Sequence, residues 1–252
     1  TTLPAVLAPV ISPFNAQGRI DATKLLKQSQ WLRSNDVGVA IFGTNSESNS
    51  IAAAEKMEVL EQLVAGGLDP KMMMPGTGAC SVAETALMTS NAVKMGCAGV
   101  LMLPPFYYKD VSDDGLFAFF SEVIEKVADS QLQIYLYNIP PITKISMSLD
   151  LIERLMTAYP NTIAGMKDTS GDWSYTEAVL QRFAPRGFRV FTGNEIFLLR
   201  TMQNGGYGCI SSMVNIDPRR NAYLAAHWQD SNADQLKAEL DQVRAALIKF
   251  PT

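Results

Sequence analysis

Lys167 stands near the end of the apolar run "TIAGMKDTS", where a strand reading puts Ile163, Gly165 and Lys167 on one face and Ala164 and Met166 on the other. Lysine is strongly hydrated and rarely buried without a partner, so this position calls for a reason. One reading is a strand end whose ammonium reaches water. The other is a nucleophile: burial disfavours the charged form, and a neutral amine attacks a ketone to give a Schiff base that withdraws electrons from the adjacent carbon. Gly165, two residues earlier, is expected to leave space beside the lysine stem. In "QIYLYNIP", Tyr135 and Tyr137 share a face, with Tyr137 nearer the strand end. Its phenol is either a satisfied core hydroxyl or a proton relay assisted by a hydroxyl such as that of Thr44. Thr44 and Asn45 follow Gly43 in "GTNSES". Their backbone N–H groups can open a helix and can also hold a carboxylate, and the two roles are compatible.

The elements that must position these groups follow from periodicity. Short β-rich apolar runs begin at Ala5, Gly38, Lys71, Gly99, Gln133, Thr162, Phe188 and Gly206, which makes eight. Between them lie stretches such as "DATKLLKQSQWLRS" and "SLDLIERLMTAY", with apolar residues at helical spacing. Strands alternating with helices predict a parallel sheet with right-handed crossovers, and eight units in 252 residues is the size of a (β/α)8 barrel. A doubly wound sheet is the alternative, but no GxGxxG or GxxxxGK[ST] follows the first strand. No linker or low-complexity segment interrupts the chain, so a single domain over residues 1–252 is expected. A barrel carries its chemistry at the C-terminal strand ends, and Lys167 lies at one of them.

Composition removes several classes of function. The net charge of −4 leaves no basic footprint for nucleic acid. No apolar run approaches the roughly 18 residues of a membrane span. The N-terminal "TTLPAVLAPVISPF" has no basic region and contains three prolines, so no signal peptide is expected and a cytoplasmic protein is. Cys80, Cys97 and Cys209 are odd in number and widely spaced, which reads as small buried hydrophobes rather than disulfides or a metal site. His227 is the single histidine and sits in a helical pattern, so catalytic Ser-His-Asp and Cys-His systems lack a member. Asp113 and Asp114, in "SDD", precede a helical pattern and read as cap residues. "PPFYYKD" puts tyrosines in a proline-stiffened loop, either a contact surface or packing on the rim.

The motifs "GTNSES", "PPFYY", "YNIP" and "GMKDTSGD", in this order and spacing, resemble the dihydrodipicolinate synthase / N-acetylneuraminate lyase family of pyruvate-linked class I aldolases over nearly the whole chain. The resemblance implies that Lys167 is the Schiff-base lysine and Tyr137 the tyrosine that moves protons. It implies that Thr44 is a relay hydroxyl, and that its N–H with that of Asn45 holds the pyruvate carboxylate. Tyr108 matches the residue that reaches into a neighbouring subunit's site, and Ile210 a position whose carbonyl lies near the imine. Gly193, Asn194 and Glu195 match the place where sugar hydroxyls are bound in neuraminate lyases. A homotetramer built as a dimer of dimers, with no metal and no organic cofactor, is implied as well.

There are departures. Asn45 and Ser46 stand where the family's loop usually reads Thr-Gly, and Ile142 stands where dihydrodipicolinate synthases carry an arginine for the aldehyde's carboxylate. Lys144 nearby offers only a point charge. The chain stops soon after what reads as its eighth helix, so the expected fold is a (β/α)8 barrel with the family's extra C-terminal helices missing. The expected activity is making or breaking a carbon–carbon bond between pyruvate and an aldehyde, with a 2-oxo acid such as a deoxy sugar acid as the larger partner. Three alternatives stand beside it: dihydrodipicolinate synthase proper acting on pyruvate and aspartate semialdehyde, a 2-oxo-3-deoxy acid dehydratase, and a non-catalytic barrel that binds pyruvate or a 2-oxo acid.

Overall fold

A computed structural model describes residues 3–249. Seven of the eight apolar runs form strands: β1 (Val6–Ala8), β2 (Gly38–Val39), β3 (Val100–Met102), β4 (Ile134–Asn138), β5 (Ile163–Asp168), β6 (Arg189–Thr192) and β7 (Gly208–Ile210). All pairings are parallel, in the order β2-β1-β7-β6-β5-β4-β3. The remaining run, "KMMMPGTG", forms no continuous strand, a departure from expectation with a local cause. Pro75 has no N–H to give to a ladder. The segment still bridges β2 through Val39 and Met73, and β3 through Gly76 and Leu101. Met74 donates to the Val39 carbonyl at 2.9 Å and Leu101 to the Pro75 carbonyl at 2.9 Å.

Helices α1 (Ala22–Arg33), α2 (Ala53–Ala65), α3 (Val82–Lys94), α4 (Asp113–Val127), α5 (Pro140–Thr143), α6 (Leu149–Ala158), α7 (Trp173–Phe183), α8 (Leu198–Gln203), α9 (Pro218–Ala226) and α10 (Ala233–Leu247) complete the chain. Six of them begin at an Asp or Ser whose side chain accepts an N–H of the first turn, each contact worth about 1 kcal/mol. The cap of α4 is Ser112, which moves Asp113 and Asp114 from the expected cap into the first turn. There Asp113 accepts a hydrogen bond from Ser148, the cap of α6. The helix read from sequence as the eighth is α10, which lies beyond the helix that follows β7, namely α9.

The strands have two faces and two cores. One core packs the sheet against the helices and includes Val6, Ala8, Val39, Val100, Met102 and Met166. The other lies on the opposite face and joins Leu7, Met74, Leu101, Tyr135, Phe191 and Ile210, residues from widely spaced strands that meet only because the sheet curls. Period-2 alternation separates the two sets, so neighbouring residues on one strand serve different cores. The cysteines depart from expectation in one respect: Cys209 is buried and Cys97 half-buried, but Cys80 is exposed.

Candidate active site

Register brings the two residues of greatest chemical interest together. On β4 and β5, Tyr137 pairs with Lys167 and Asn138 with Asp168. Lys167 is 3% exposed, and its Nζ donates to the Tyr137 hydroxyl at 3.2 Å while lying 4.3 Å from the centre of that ring. Among the described residues no carboxylate reaches ion-pairing distance of this amine. The hydroxyls of Tyr137 and Thr44 are 3.2 Å apart, so amine, phenol and alcohol form one chain of hydrogen bonds. Burial works against the phenolate of Tyr137, but the adjacent Lys167 and the hydrogen bonds from Thr44 and Lys167 outweigh it. The phenol is drawn below the ordinary tyrosine range.

Gly165 does not leave space for the lysine stem, as the spacing suggests. A Cβ there would meet the Tyr135 ring at 2.8 Å and collide with the Arg189 carbonyl. The glycine admits Tyr135, which is wholly buried one layer below Tyr137 and accepts from Arg189 at 3.0 Å.

Asn138 and Asp168, which follow the reactive pair, point the other way. Asn138 donates to Asp168 Oδ1 at 2.9 Å, and the same carboxylate accepts from the Ser170 N–H, the Ser170 hydroxyl and the Thr176 hydroxyl. Asn138 Oδ1 accepts from the Met147 N–H at 3.1 Å. These bonds tie the ends of β4 and β5 to each other and to α7, which fixes the strand ends that carry Tyr137 and Lys167.

Thr44 and Asn45 open a tight 3-10 turn over Thr44–Ser46. Among the described residues their N–H groups have no acceptor, whereas the N–H groups of Ser46 and Ser48 both reach the Gly43 carbonyl. Ser46, where the family has glycine, needs no left-handed backbone. That conformation falls instead on Phe42 (φ 60°) and Glu47 (φ 54°), each costing on the order of 1–3 kcal/mol. Ser46 Oγ accepts from the Gly43 N–H at 3.3 Å and donates to the Val10 carbonyl, and Ser12 Oγ donates to the Ser46 carbonyl at 2.7 Å.

The other sequence candidates are distributed around the same strand ends. Gly193 lies against Thr169, and Asn194 accepts from the Ile196 N–H at 3.2 Å. Glu195 is buried, with its carboxylate held by Arg244 of α10 at 2.7 Å and by the Ser211 hydroxyl. Ile210 is buried on β7 and pairs with Leu7 of β1. Tyr108 stands apart, 76% exposed and edge-on to Tyr107. Ile142 is also exposed, at 58%. His227 caps the end of α9 and lies 3.1 Å from Asp230, away from these strand ends.

Sequence reasoning passed over two residues. Thr169 lies two positions beyond Lys167, and its buried hydroxyl adds to the lowering of the Tyr137 phenol; the period-2 rule that singled out Lys167 also points to it. Lys56 is buried behind the turn and bonds only to Ser48. No residue pattern announces it, because a lysine in an amphipathic helix ordinarily faces water.

Comparison with known proteins identifies relatives of the sequence and of the fold. The profile of the dihydrodipicolinate synthetase family matches residues 2–252. The 4-hydroxy-tetrahydrodipicolinate synthase of Methanococcoides burtonii is 32% identical over 247 residues, covering 96% of this chain and 82% of that protein. The crystal structure of dihydrodipicolinate synthase from Agrobacterium tumefaciens superposes with a TM-score of 0.88 at 32% identity, covering 98% of this chain and 84% of the other. YagE, a prophage protein from E. coli K12 belonging to the dihydrodipicolinic acid synthase family and solved in complex with pyruvate, gives 0.86 at 25% identity over 96% of this chain and 82% of its own. With a match over nearly its full length and a buried lysine, phenol and hydroxyl in hydrogen-bonded sequence, the chain belongs to the dihydrodipicolinate synthetase family.

Proposed function

We propose that Lys167 attacks the C2 ketone of pyruvate and that the resulting imine carries the reaction. The chain is a pyruvate-dependent class I aldolase, a carbon–carbon lyase. The observation that carries this reading is a buried amine with no carboxylate partner, 3.2 Å from a phenol whose own pKa is drawn down. Attack forms the C–N bond and gives a carbinolamine. Tyr137, linked to Thr44, supplies the proton that lets water leave; the phenolate so formed takes a proton from C3, and the protonated imine accepts the electron pair released. The enamine then adds to the aldehyde, or, in the reverse direction, is what remains when the aldehyde leaves. Thr44 and Asn45 offer their unpaired N–H groups to the pyruvate carboxylate, the Ile210 carbonyl faces the imine, and Gly193, Asn194 and Glu195 border the part of the site that takes the aldehyde. Tyr108, exposed on one chain, completes the site of a second.

Three cations lie on the strand-to-helix connections at this end of the sheet, Arg19, Lys109 and Lys144. Arg19 is paired with Glu55 and Glu58, Lys109 donates to the Phe106 carbonyl, and Lys144 donates to the Pro141 carbonyl. Together with Ile142 this favours a hydroxylated aldehyde, and thus a deoxy sugar acid as the larger partner, over aspartate semialdehyde.

The segment 73–77 takes the place of a third strand and closes a single (β/α)8 domain, a reading supported by its bridges to β2 and β3, the two ends of the seven-strand order. The assembly is a homotetramer in the cytoplasm, acting without metal or organic cofactor. Incubation with pyruvate in deuterium oxide tests the chemistry: the methyl protons exchange with solvent in the presence of the protein. Absence of exchange overturns the enzymatic reading in favour of a binding protein. Release of pyruvate from 2-oxo-3-deoxy acids then separates an aldolase from a dehydratase, which releases none.

A further inference from the structure

Lys56 is the buried charge for which the chemistry above has no use. It projects from α2 and is 6% exposed, and its Nζ donates to the Ser48 carbonyl at 3.1 Å and the Ser48 hydroxyl at 3.2 Å. Among the described residues no carboxylate reaches ion-pairing distance of it. Burial pulls the ammonium below the ordinary lysine range, with only the field of Glu84 opposing. The surrounding wall includes Phe42, Met57, Leu60 and Met88, where an apolar side chain of similar length would be cheaper to bury than a charge. Packing alone therefore does not account for the lysine.

Both of its bonds end on one residue, and that residue closes the turn carrying Thr44 and Asn45: the Ser48 N–H donates to the Gly43 carbonyl at 3.3 Å. The turn is flanked by two left-handed non-glycine residues, Phe42 and Glu47, and such conformations persist only where their surroundings enforce them. On one side enforcement comes from Ser12, Ser46 and the Val10 carbonyl, which tie the turn to the end of β1. On the other side it comes from Lys56.

We propose that Lys56 is a positioning residue that clamps the 43–48 turn from behind and so holds the Thr44 and Asn45 N–H groups in place for the substrate carboxylate. The proposal rests on the functional reading above for the identity of the ligand, but the clamp is a property of the turn itself. Lys56 touches no reacting atom, so its effect passes through the turn and falls mainly on the two N–H groups that bind the carboxylate.

The test uses Lys56→Met, Lys56→Arg and Ser48→Ala in the full chain, with two readouts. The first is the pyruvate dependence of adduct trapping by borohydride. Lys56→Met raises the half-saturating pyruvate concentration about tenfold, while the limiting trapping rate stays within about threefold. Lys56→Arg recovers most of the loss, and Ser48→Ala, which removes one of the two contacts, falls between. The second readout is amide hydrogen exchange of peptides covering residues 43–50, which Lys56→Met accelerates with no matching change in β4 and β5. An unaltered half-saturation, or a loss seen only as a smaller active fraction, overturns the clamp. If the parent forms no adduct at all, the functional reading fails and the exchange readout decides the clamp alone: unchanged exchange over 43–50 overturns it.

Discussion

Strand β4 presents two phenols on the same face, two residues apart, and each meets a cation. Tyr135 accepts from Arg189 at 3.0 Å, and Tyr137 accepts from Lys167 at 3.2 Å. In the lower pair burial prevails over Arg189 and pushes Tyr135 above the ordinary tyrosine range. In the upper pair burial is outweighed by Lys167 and by the hydroxyl of Thr44, and Tyr137 moves the other way. The cations differ as well, since a guanidinium keeps its proton throughout the working range while a lysine can lose one and become a nucleophile. Two similar pairs, built on the phenols of one strand, are thus a structural plug below and a reactive pair above. The difference lies in the type of cation and in one additional hydroxyl.

The comparison breaks most readily at the phenols. Tyr137→Phe lowers turnover by about 10²–10⁴-fold if the phenol transfers protons, while Tyr135→Phe leaves turnover within about threefold. Equal losses in steady-state kinetics would erase the distinction between the layers. Gly165→Ala attacks the lower layer, because its methyl meets the Tyr135 ring and the Arg189 carbonyl; urea unfolding should show a loss of about 1–3 kcal/mol. Tyr135→Phe by itself costs about 1 kcal/mol in the same experiment, because Arg189 still reaches solvent.

The smallest effect concerns the thiols. Burial pushes Cys97 up to about 12 and Cys209 higher still, so at pH 8.5 an alkylating reagent labels Cys80 alone in the native protein. The folded value of Cys97 is raised, so its contribution to stability is complete below the ordinary thiol pKa and is lost as pH rises toward 12. Labelling of all three residues at equal rates would contradict that burial.

What the sequence made legible follows periodicity. Alternation in "TIAGMKDTS" and "QIYLYNIP" is enough to place Lys167 and Tyr137 on matching faces, and seven of the eight apolar runs are strands. The segment around Pro75 escaped because one missing N–H decides whether a ladder is continuous, and composition does not register it. The purpose of Gly165 was misread since the ring it admits comes from a neighbouring strand, 30 residues earlier in the chain. Ser46 and the Asn138–Asp168 bond were hidden for a similar reason: each acts through a contact with a distant segment that no local pattern encodes. Lys56 reaches only eight residues back, to Ser48, and was hidden because a lysine on an amphipathic helix ordinarily faces water. Glu195 illustrates the converse. Its position at a strand end was readable, but its two partners, Arg244 and Ser211, lie on α10 and just after β7.

The central claim is that Lys167 is the nucleophile, and intact mass after incubation with pyruvate and borohydride tests it most directly. The parent chain should gain one reduced pyruvate, and Lys167→Ala, checked for native folding by circular dichroism, should gain none. A parent that stays unmodified, or a variant that gains the same mass, would contradict the assignment.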